Sequence, residues 1–340
     1  MLITDTWHPQ VNGVVTALHK LMQELEKLGY RVVVIHPGLF KTVPLVFYPE
    51  IRLALLPRLK MSTIFKKEKP DYIHIAGEWP LGIAARQYCL RHKLPFTTTY
   101  HTHLPLYVPH YTPIVGKRVG RMFYKYLSWF HNASERTFVA SKSLKMDLSK
   151  HGFKHLEVVP LGVDVEAFKR NENAARRFEG PVFVYFGRVS EEKNIEEFFK
   201  MKVKGTKLVI GDGPSRKKME EKYGNEAVFV GFKKGKELVD LLSIADVMVM
   251  PSMTETFGLV VVEALACGLP VAAHNVMGPK DVVTHGVDGF LHRDLGKAAK
   301  ASLKLARKKT RQKALQFTWA NSARTFLSNV LAAGAAKYSD

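Results

Sequence analysis

Two glutamates with seven residues between them, Glu255 and Glu263, are the side chains best placed by spacing to bind a polar ligand. They lie in the segment VMPSMTETFGLVVVEALACGLPVAAH, in which an apolar run ends at Pro251 and apolar residues recur at helical spacing from Phe257 to Gly268. Glu255 is therefore expected in the loop before a helix. Glu263 is expected about two turns inside it, roughly 12 Å further along the axis.

The start of this helix has the chemistry of a phosphate site. Free amides at a helix N-terminus and the helix dipole attract anions. The four residues expected to supply these amides are Thr256, Phe257, Gly258 and Leu259. A carboxylate on either side can accept hydrogen bonds from sugar and ribose hydroxyls, so the pattern suits a nucleotide sugar. The alternative is a helix-capping loop followed by a solvated helix acid.

Two cations follow a second buried strand, in the sequence FGRVSEEKN. Arg188 and Lys193 are expected at the carboxyl end of that strand, where open α/β sheets bind ligands. They can neutralise a diphosphate that becomes more negative as it leaves, which stabilises the transition state. The alternative is a solvated loop in a lysine-rich protein.

The first half of the chain offers weaker candidates. Gly13, at a strand–helix junction, can let a phosphate approach the backbone, although a plain tight turn explains it nearly as well. His101 follows the strand FTTTY and is expected beside the sugar, the alternative being a structural histidine. Glu78 ends another strand and is a candidate for meeting the acceptor.

A zinc site formed by the histidines of TYHTHLPLYVPHY is also conceivable. These histidines are His101, His103 and His110. The surrounding prolines and the lack of carboxylate or cysteine partners argue against it. No metal is therefore expected.

The segment VGKRVGRMFYKYLSWF predicts a basic amphipathic helix from Val115 to Phe130. Its basic residues and the tyrosine that precedes it are candidates for acceptor or membrane contact, namely Tyr107, Lys117, Arg118, Arg121 and Lys125. Val119, Met122, Phe123, Tyr126 and Phe130 are expected on the opposite face. Such a helix suits an anionic membrane, at about 1 kcal/mol per cation. A core-facing helix with a solvated basic side is the alternative.

Alternating strand and helix patterns run through both halves and predict two doubly wound parallel-sheet domains. The polar segment from Leu161 to Gly180 has no strand pattern, which predicts a linker between the two domains. We therefore expect an N-terminal acceptor-binding domain over residues 1–160, with a helix over 319–340 packing back. A C-terminal donor-binding domain is expected over residues 161–318, with the ligand in a central cleft between the domains.

Composition sets the broad class. The 340 residues are 46% hydrophobic and 24% charged, typical of a globular protein, and no apolar run approaches the roughly 18 residues that cross a bilayer. No signal peptide is visible, and two cysteines, Cys89 and Cys267, indicate packing residues in a reducing, cytoplasmic setting. The net charge of +20 predicts a polyanionic partner. Nucleic acid is disfavoured because its recognition motifs are missing.

Taken together, these segments resemble glycosyltransferase family 4, a retaining family with the two-domain GT-B fold. The matching pieces are DTWHPQVNGVV, YHTHLPLYVPHYT, PLGVDVEAF, FGRVSEEKN, VIGDGP, VFVGF, ADVMVMPSMTETFGLVVVEALACGLPV and HGVDGFL. The second piece resembles in particular the enzymes that glycosylate diacylglycerol, such as sulfoquinovosyl- and glucuronosyl-diacylglycerol synthases.

The resemblance implies roles for individual residues. Gly13 would lie by the donor diphosphate, His101 by the donor sugar, and Arg188 and Lys193 on the phosphates. Glu255 would hold sugar hydroxyls and Glu263 the ribose. Other donor-binding positions fall in the loops FGR, GDGP and VFVGF, at Gly187, Gly211 and Phe232.

The resemblance also implies the chemistry. Such enzymes need neither cofactor nor metal, in keeping with the lack of an Asp-x-Asp motif. They retain anomeric configuration by front-face attack, in which the leaving phosphate accepts the proton of the acceptor. One departure is NVMGPKD, in which only Gly278 remains of a glycine pair that many relatives carry.

The expected function is transfer of a hexose or hexuronic acid from a nucleotide sugar, most simply UDP-linked, to a lipid such as diacylglycerol. The enzyme would attach peripherally to the inner face of the cell membrane. A polysaccharide or lipopolysaccharide acceptor is the runner-up. A non-catalytic scaffold or a nucleic-acid-binding protein is the alternative from another class.

Overall fold

The computed structural model describes residues 1–10, 12–45, 48–106 and 116–335. The chain divides into two compact units. The first comprises residues 1–160 and the segment from Trp319 onward, and the second comprises Leu161–Thr318. Each unit contains a six-stranded parallel sheet, which confirms the predicted α/β class.

The first unit has a parallel sheet with the strand order β2-β1-β5-β6-β7-β8. Its strands, together with those of a separate hairpin, are β1 Leu2–Ile3, β2 Val34–Ile35, β3 Thr42–Leu45, β4 Tyr48–Ala54, β5 His74–Ile75, β6 Thr97–Tyr100, β7 Arg136–Val139 and β8 Leu156–Val158. Its helices up to that point are α1 Gly13–Lys27, α2 Arg58–Glu68, α3 Pro80–Arg91, α4 Gly116–His131 and α5 Lys142–Lys150. The β3–β4 hairpin is antiparallel and was not expected from the strand–helix alternation.

Helix α1 shows how local sequence fixes the elements around the first strand. It buries Leu18, Leu21 and Leu25 on one face. The chain leaves the helix through Gly29, whose φ of +88° only glycine adopts easily. The apolar spacing of Val14, Leu18, Leu21 and Leu25 before Gly29 predicts a helix over Val14–Leu28, and the structure confirms it to within one residue at each end.

The second unit has the strand order β11-β10-β9-β12-β13-β14. Its strands are β9 Val182–Phe186, β10 Thr206–Ile210, β11 Val228–Gly231, β12 Val247–Met250, β13 Val271–Ala273 and β14 Gly289–Leu291. Its helices are α6 Ile195–Lys200, α7 Arg216–Tyr223, α8 Gly235–Ile244, α9 Leu259–Ala266, α10 Pro279–Val282, α11 Leu295–Ser302 and α12 Arg307–Ala314. Every residue of β9 and β12 is buried, as expected for central parallel strands covered on both faces.

The last helix, α13 Trp319–Ala335, belongs to the first unit. Its Phe326 and Val330 pack in one apolar cluster with Leu21 and Leu25 of α1 and with Phe138 of β7. Burial of about 25 cal/mol per Å² of apolar surface makes such a cluster a substantial anchor for the end of the chain.

The segment Leu161–Gly180 contains neither helix nor strand. The Arg311 guanidinium fastens its beginning to the second unit by donating to the carbonyls of Val165, at 2.9 Å, and Phe168, at 3.2 Å. Cys89 is buried within α3 and Cys267 is buried directly after α9, and burial raises the pKa of each thiol to about 12. They are packing residues, as predicted, because so little thiolate forms at neutral pH.

Candidate active site

The carboxyl ends of the adjacent strands β9 and β12 bring together two of the residues singled out by sequence. The Nζ atom of Lys193 lies 2.5 Å from Oε1 of Glu255. Lys193 ends a short 3₁₀ turn after β9, and Glu255 lies in the loop after β12. Glu255 is 8% exposed, so its charge is stabilised mainly by this ammonium rather than by water. The structure thus pairs two side chains that the sequence had assigned separately, one to phosphate and one to sugar.

Gly278 packs directly against Glu255 of this ion pair. A β-carbon built on Gly278 would lie 2.7 Å from Cβ of Glu255 and 3.1 Å from its carbonyl oxygen. The residue also has a φ of +86°, which side-chain-bearing residues avoid. The glycine that remains in NVMGPKD is therefore required for the approach of its loop to Glu255.

Replacement of Gly278 by alanine is expected to displace Glu255 and strain the backbone, at a cost of about 1–3 kcal/mol in unfolding free energy. Gly286→Ala is a matched control, since Gly286 has a φ of +78° but nothing within 4 Å of the added carbon. Urea unfolding should show a lowered free energy of unfolding in both variants, because both place a side chain at a positive φ. Turnover of sugar nucleotide should fall about tenfold or more only in Gly278→Ala. Equal turnover in the two variants would contradict the packing role.

Glu263 has an unusual environment in the second turn of α9. Among the described residues, no hydrogen bond or ion pair reaches its carboxylate. Burial raises its pKa to about 7, although part of the residue is exposed to solvent. A carboxyl group in such an environment can accept hydrogen bonds from a bound ligand.

The helix beside Glu263 starts later than the sequence pattern indicated. Its first residue is Leu259, and Gly258 is the N-cap with a φ of +86°. Thr256 and Phe257 therefore precede the helix, and the predicted set of four terminal amides is wrong for these two. The physical reason is that Phe257 turns inward, where it is 2% exposed and packs edge-on against Phe317.

The glycine loops at the same sheet edge allow close backbone approach. A β-carbon on Gly211 would lie 1.9 Å from the carbonyl oxygen of Gly187, and the two residues have φ values of +149° and +142°. Arg188 follows Gly187 and is exposed, and its carbonyl accepts the Tyr185 hydroxyl. Phe232 follows β11 and is 58% exposed.

In the first unit, the start of α1 is occupied by its own cap. The Asn12 side chain accepts hydrogen bonds from the amides of Val14 and Val15, each at 3.0 Å. This cap satisfies two of the amides that a phosphate beside Gly13 would use. Gly13 itself is exposed at the first helical position.

A polar cluster surrounds His101, which directly follows β6. Burial lowers the pKa of His101 to about 4, with Glu78 and His131 as neighbouring charges, so the imidazole is neutral at physiological pH. Nε2 of His131 lies 3.3 Å from Oε1 of Glu78, and Nδ1 of His131 lies 2.9 Å from the Thr98 hydroxyl. His101, Glu78 and His131 thus form one cluster, and His131 was missed because it ends a helix far along the chain.

A second residue missed by sequence reasoning, Asp5, builds the strand–helix turn that holds Glu78. Its carboxylate accepts the amides of Trp79, at 3.1 Å, of Leu81, at 2.9 Å, and of Gly82, at 3.1 Å, and so caps α3. Burial raises its pKa to about 6 despite these bonds. An aspartate two residues after the first strand was the signal available in the sequence.

Helix α4 presents a basic face, as predicted, but with a different apolar composition. Arg118, Arg121 and Lys125 are exposed. Met122 is 68% exposed and Trp129 is 48% exposed, so the assignment of Met122 to the face opposite the cations is wrong. Phe130 is buried, as predicted for the apolar face, and Leu127, which was not in the predicted set, is buried as well. The side chain of Lys117 and all of Tyr107 lie outside the described residues.

No cluster of histidine, cysteine or acidic side chains suited to a metal ion occurs in the described ranges. His103 instead bonds to the Tyr100 hydroxyl, at 3.0 Å, and to Asp147, at 3.2 Å. His110 lies outside the described residues. No helix in the described part of the chain is long and apolar enough to cross a membrane.

Comparison with solved structures identifies the fold. Sucrose-phosphate synthase from Thermosynechococcus elongatus superposes with a TM-score of 0.79 over 98% of this chain and 99% of that chain, at 21% identity. The Anabaena protein HepE in complex with UDP superposes with a TM-score of 0.70 over 97% and 99%, at 16% identity. Two parallel-sheet units with these structural neighbours define the GT-B fold.

Comparison of sequences gives the family. Residues 11–167 match the model of Glycosyltransferase Family 4, and residues 168–320 match that of Glycosyl transferases group 1. The chain belongs to glycosyltransferase family 4 and is a hexosyltransferase.

Three relatives illustrate the range of the family. Sulfoquinovosyl transferase SQD2 of Arabidopsis thaliana is 29% identical over 83% of this chain, which spans 61% of the length of that protein. A GDP-mannose-dependent alpha-mannosyltransferase of Mycobacterium tuberculosis is 29% identical over 85% of this chain and 82% of its own. Alpha-monoglucosyldiacylglycerol synthase of Streptococcus pneumoniae is 28% identical over 86% and 74%.

Proposed function

We propose that this enzyme transfers a hexosyl group, with retention of anomeric configuration, from a UDP-linked sugar to a membrane lipid such as diacylglycerol. The observation that carries the donor side is the Lys193–Glu255 pair at the carboxyl ends of β9 and β12, together with the buried carboxyl group of Glu263, which no hydrogen bond or ion pair reaches within the described ranges. The acceptor side is supported by the names of two relatives, a sulfoquinovosyl transferase and a glucosyldiacylglycerol synthase.

In this proposal, the second unit binds the donor and the first unit the acceptor. When the diphosphate binds, Lys193 and Arg188 neutralise it, and this charge stabilisation grows as the sugar–phosphate bond breaks. Glu255 then accepts hydrogen bonds from sugar hydroxyls, and Glu263 accepts them from the ribose. Gly187, Gly211, Gly258, Leu259 and Phe232 shape the donor site through their backbones.

The first unit contributes a neutral His101 at the sugar and Glu78 near the acceptor. A neutral imidazole can donate a hydrogen bond to a sugar hydroxyl without carrying a charge itself. The leaving phosphate accepts the proton of the acceptor hydroxyl, so neither a protein nucleophile nor a metal ion takes part in the proposed reaction.

The proposal is tested by incubating the enzyme with radiolabelled UDP-glucose or GDP-mannose and mixed vesicles containing diacylglycerol. We expect labelled lipid from the UDP sugar. Labelled lipid from GDP-mannose alone would overturn the assignment of UDP as the donor nucleotide. GDP-mannose is the main alternative donor because one relative is a GDP-mannose-dependent mannosyltransferase. Label only in added polysaccharide or lipopolysaccharide would overturn the lipid acceptor. Salt-sensitive nucleic-acid binding without any transfer would support a non-catalytic role.

We further propose that the exposed face of α4 attaches the enzyme to anionic lipid on the inner face of the cell membrane. Arg118, Arg121 and Lys125 supply charge there, and Met122 and Trp129 supply apolar surface. Arg86 holds the end of this helix rigidly, because it donates to the carbonyl of Trp129 at 2.9 Å and stacks 4.0 Å from the centre of its ring.

The double variant Arg121→Gln/Lys125→Gln is expected to bind phosphatidylglycerol vesicles about tenfold or more weakly, since each cation contributes about 1 kcal/mol. Lys142→Gln/Lys150→Gln, on the exposed side of α5, removes the same charge elsewhere in the unit. Vesicle sedimentation measures both variants. An equal loss of binding in the control would attribute the affinity to net charge alone and contradict a role for α4.

A further inference from the structure

A single carboxylate oxygen joins three loops at the edge of the second sheet. Oε2 of Glu197 accepts a hydrogen bond from the Asn194 side chain, at 2.8 Å, and another from Nε2 of His274, at 3.0 Å. The same Asn194 amide group donates to the carbonyl of Pro251, at 3.3 Å. The three loops follow β9, β12 and β13, which are neighbours in the sheet.

Each of these loops carries one part of the Lys193–Glu255 site. Asn194 directly follows Lys193, and Pro251 begins the loop that leads to Glu255. His274 begins the loop that contains Gly278, and Gly278 packs against Glu255. A shift of Glu197 would therefore be transmitted to both members of the ion pair.

The local structure depends on these bonds. Asn194 has a φ of +51° and a ψ of +34°, a left-handed conformation that side-chain-bearing residues adopt at a cost of about 1 kcal/mol. His274 is 6% exposed, and its imidazole needs a buried partner. A second tie between the first two loops, from the Thr254 hydroxyl to the Glu192 carbonyl at 3.3 Å, does not involve Glu197. Removal of Glu197 should consequently loosen the loops without unfolding them.

We propose that Glu197 is a positioning residue for sugar transfer, which acts through Lys193 and Glu255 by fixing the three loops against one another. The inference rests on the proposed donor site and adds a residue that lies beyond its charged pair. A displacement of about 1 Å at reacting groups lowers rates by as much as 100-fold, so the effect should appear in turnover before it appears in binding.

The first experiment compares Glu197→Ala with Glu196→Ala by release of nucleotide from UDP-glucose in the presence of diacylglycerol vesicles, and with GDP-mannose if that is the active donor. Glu196 is a matched control on the same helix, where it pairs with Lys200 and Lys222 at the surface. For Glu197→Ala, kcat should fall about tenfold or more while the donor KM changes less than about threefold. Glu196→Ala should stay within about twofold, and Glu197→Gln, which keeps an acceptor oxygen, should recover most of the rate.

The second experiment is a double-mutant cycle with Lys193→Ala, read out by the rate of nucleotide release and by calorimetric affinity for UDP and GDP. If Glu197 acts through the ion pair, Glu197→Ala should add less than about twofold once Lys193 is absent. A full additional loss in that background would overturn the inference. So would a lowered Tm for Glu197→Ala with kcat unchanged, since that result indicates a purely structural role.

These experiments distinguish failure of the proposed donor site from failure of the positioning role of Glu197. Normal turnover of Lys193→Ala would reject the donor site itself. Impaired turnover of Lys193→Ala together with normal turnover of Glu197→Ala would reject only the positioning role.

Discussion

Lys193→Ala is expected to lower turnover of sugar nucleotide about 100- to 1,000-fold, because it removes a charge that stabilises the departing diphosphate. It also leaves Glu255, whose side chain is 10% exposed, without its ammonium partner. Breaking one side of a largely buried pair is destabilising by up to about 3 kcal/mol, so Tm should fall as well. The rate constant for nucleotide release, measured at a temperature well below both transitions, separates the two effects.

Three further variants sharpen this result. Lys193→Arg retains the charge and should keep more activity than alanine. Glu255→Gln should lower turnover while leaving Lys193 available to the diphosphate. Lys200→Ala is the control, because the Lys200 side chain is 64% exposed and pairs with Glu196 one turn earlier on the same helix, α6. Turnover of Lys193→Ala equal to that of Lys200→Ala would contradict the assignment.

The second large effect is a pH dependence that originates in Glu263. Its pKa is raised from 4.5 to about 7 in the folded chain. The unfolded chain therefore releases this proton at lower pH than the folded chain does. The contribution to folding stability is fully present below about pH 4.5 and is lost as pH rises towards 7, by up to about 3 kcal/mol. Glu263→Gln should abolish this loss, and urea unfolding at pH 5 and pH 8 measures it.

Nucleotide binding should respond in the opposite direction. Ribose hydroxyls donate best to an ionised carboxylate, so affinity for UDP should rise between pH 5 and pH 7, by as much as about tenfold per pH unit. Glu263→Gln should lack this rise. Titration of the nucleotide itself affects both proteins equally, so it cancels when the affinities of the variant and the unaltered enzyme are compared at each pH. Glu237→Gln, at a glutamate with a 72% exposed side chain, is the control. The same pH dependence in Glu263→Gln and in the unaltered enzyme would exclude Glu263 from the ribose.

Sequence periodicity predicted the two parallel-sheet units because alternating strands and helices leave few other folds. It also predicted helix α1 to within one residue at each end, since Asn12, the apolar face and Gly29 are local signals. The β3–β4 hairpin escaped prediction because its pairing is set by the partner strand. Met122 was misassigned because a helix with aromatic residues on several faces does not reveal which face is buried.

The sequence predicted which residues form the candidate site, but it did not predict which of them contact one another. Residue types at strand ends indicated Lys193 and Glu255, since ligands gather at that edge of a parallel sheet. Their direct contact depends on β9 lying beside β12, a long-range pairing that residue spacing does not encode. His131 and Asp5 were missed for the same reason, because each acts on Glu78 or its turn from a distant part of the chain.

A crystal structure with a bound, non-hydrolysable sugar nucleotide tests the central claim most directly. We expect the diphosphate within hydrogen-bonding distance of Lys193 and Arg188, the ribose on Glu263, and sugar hydroxyls on Glu255. A nucleotide bound elsewhere, with Lys193 still paired to Glu255 and Glu263 remote from the ribose, would contradict the account.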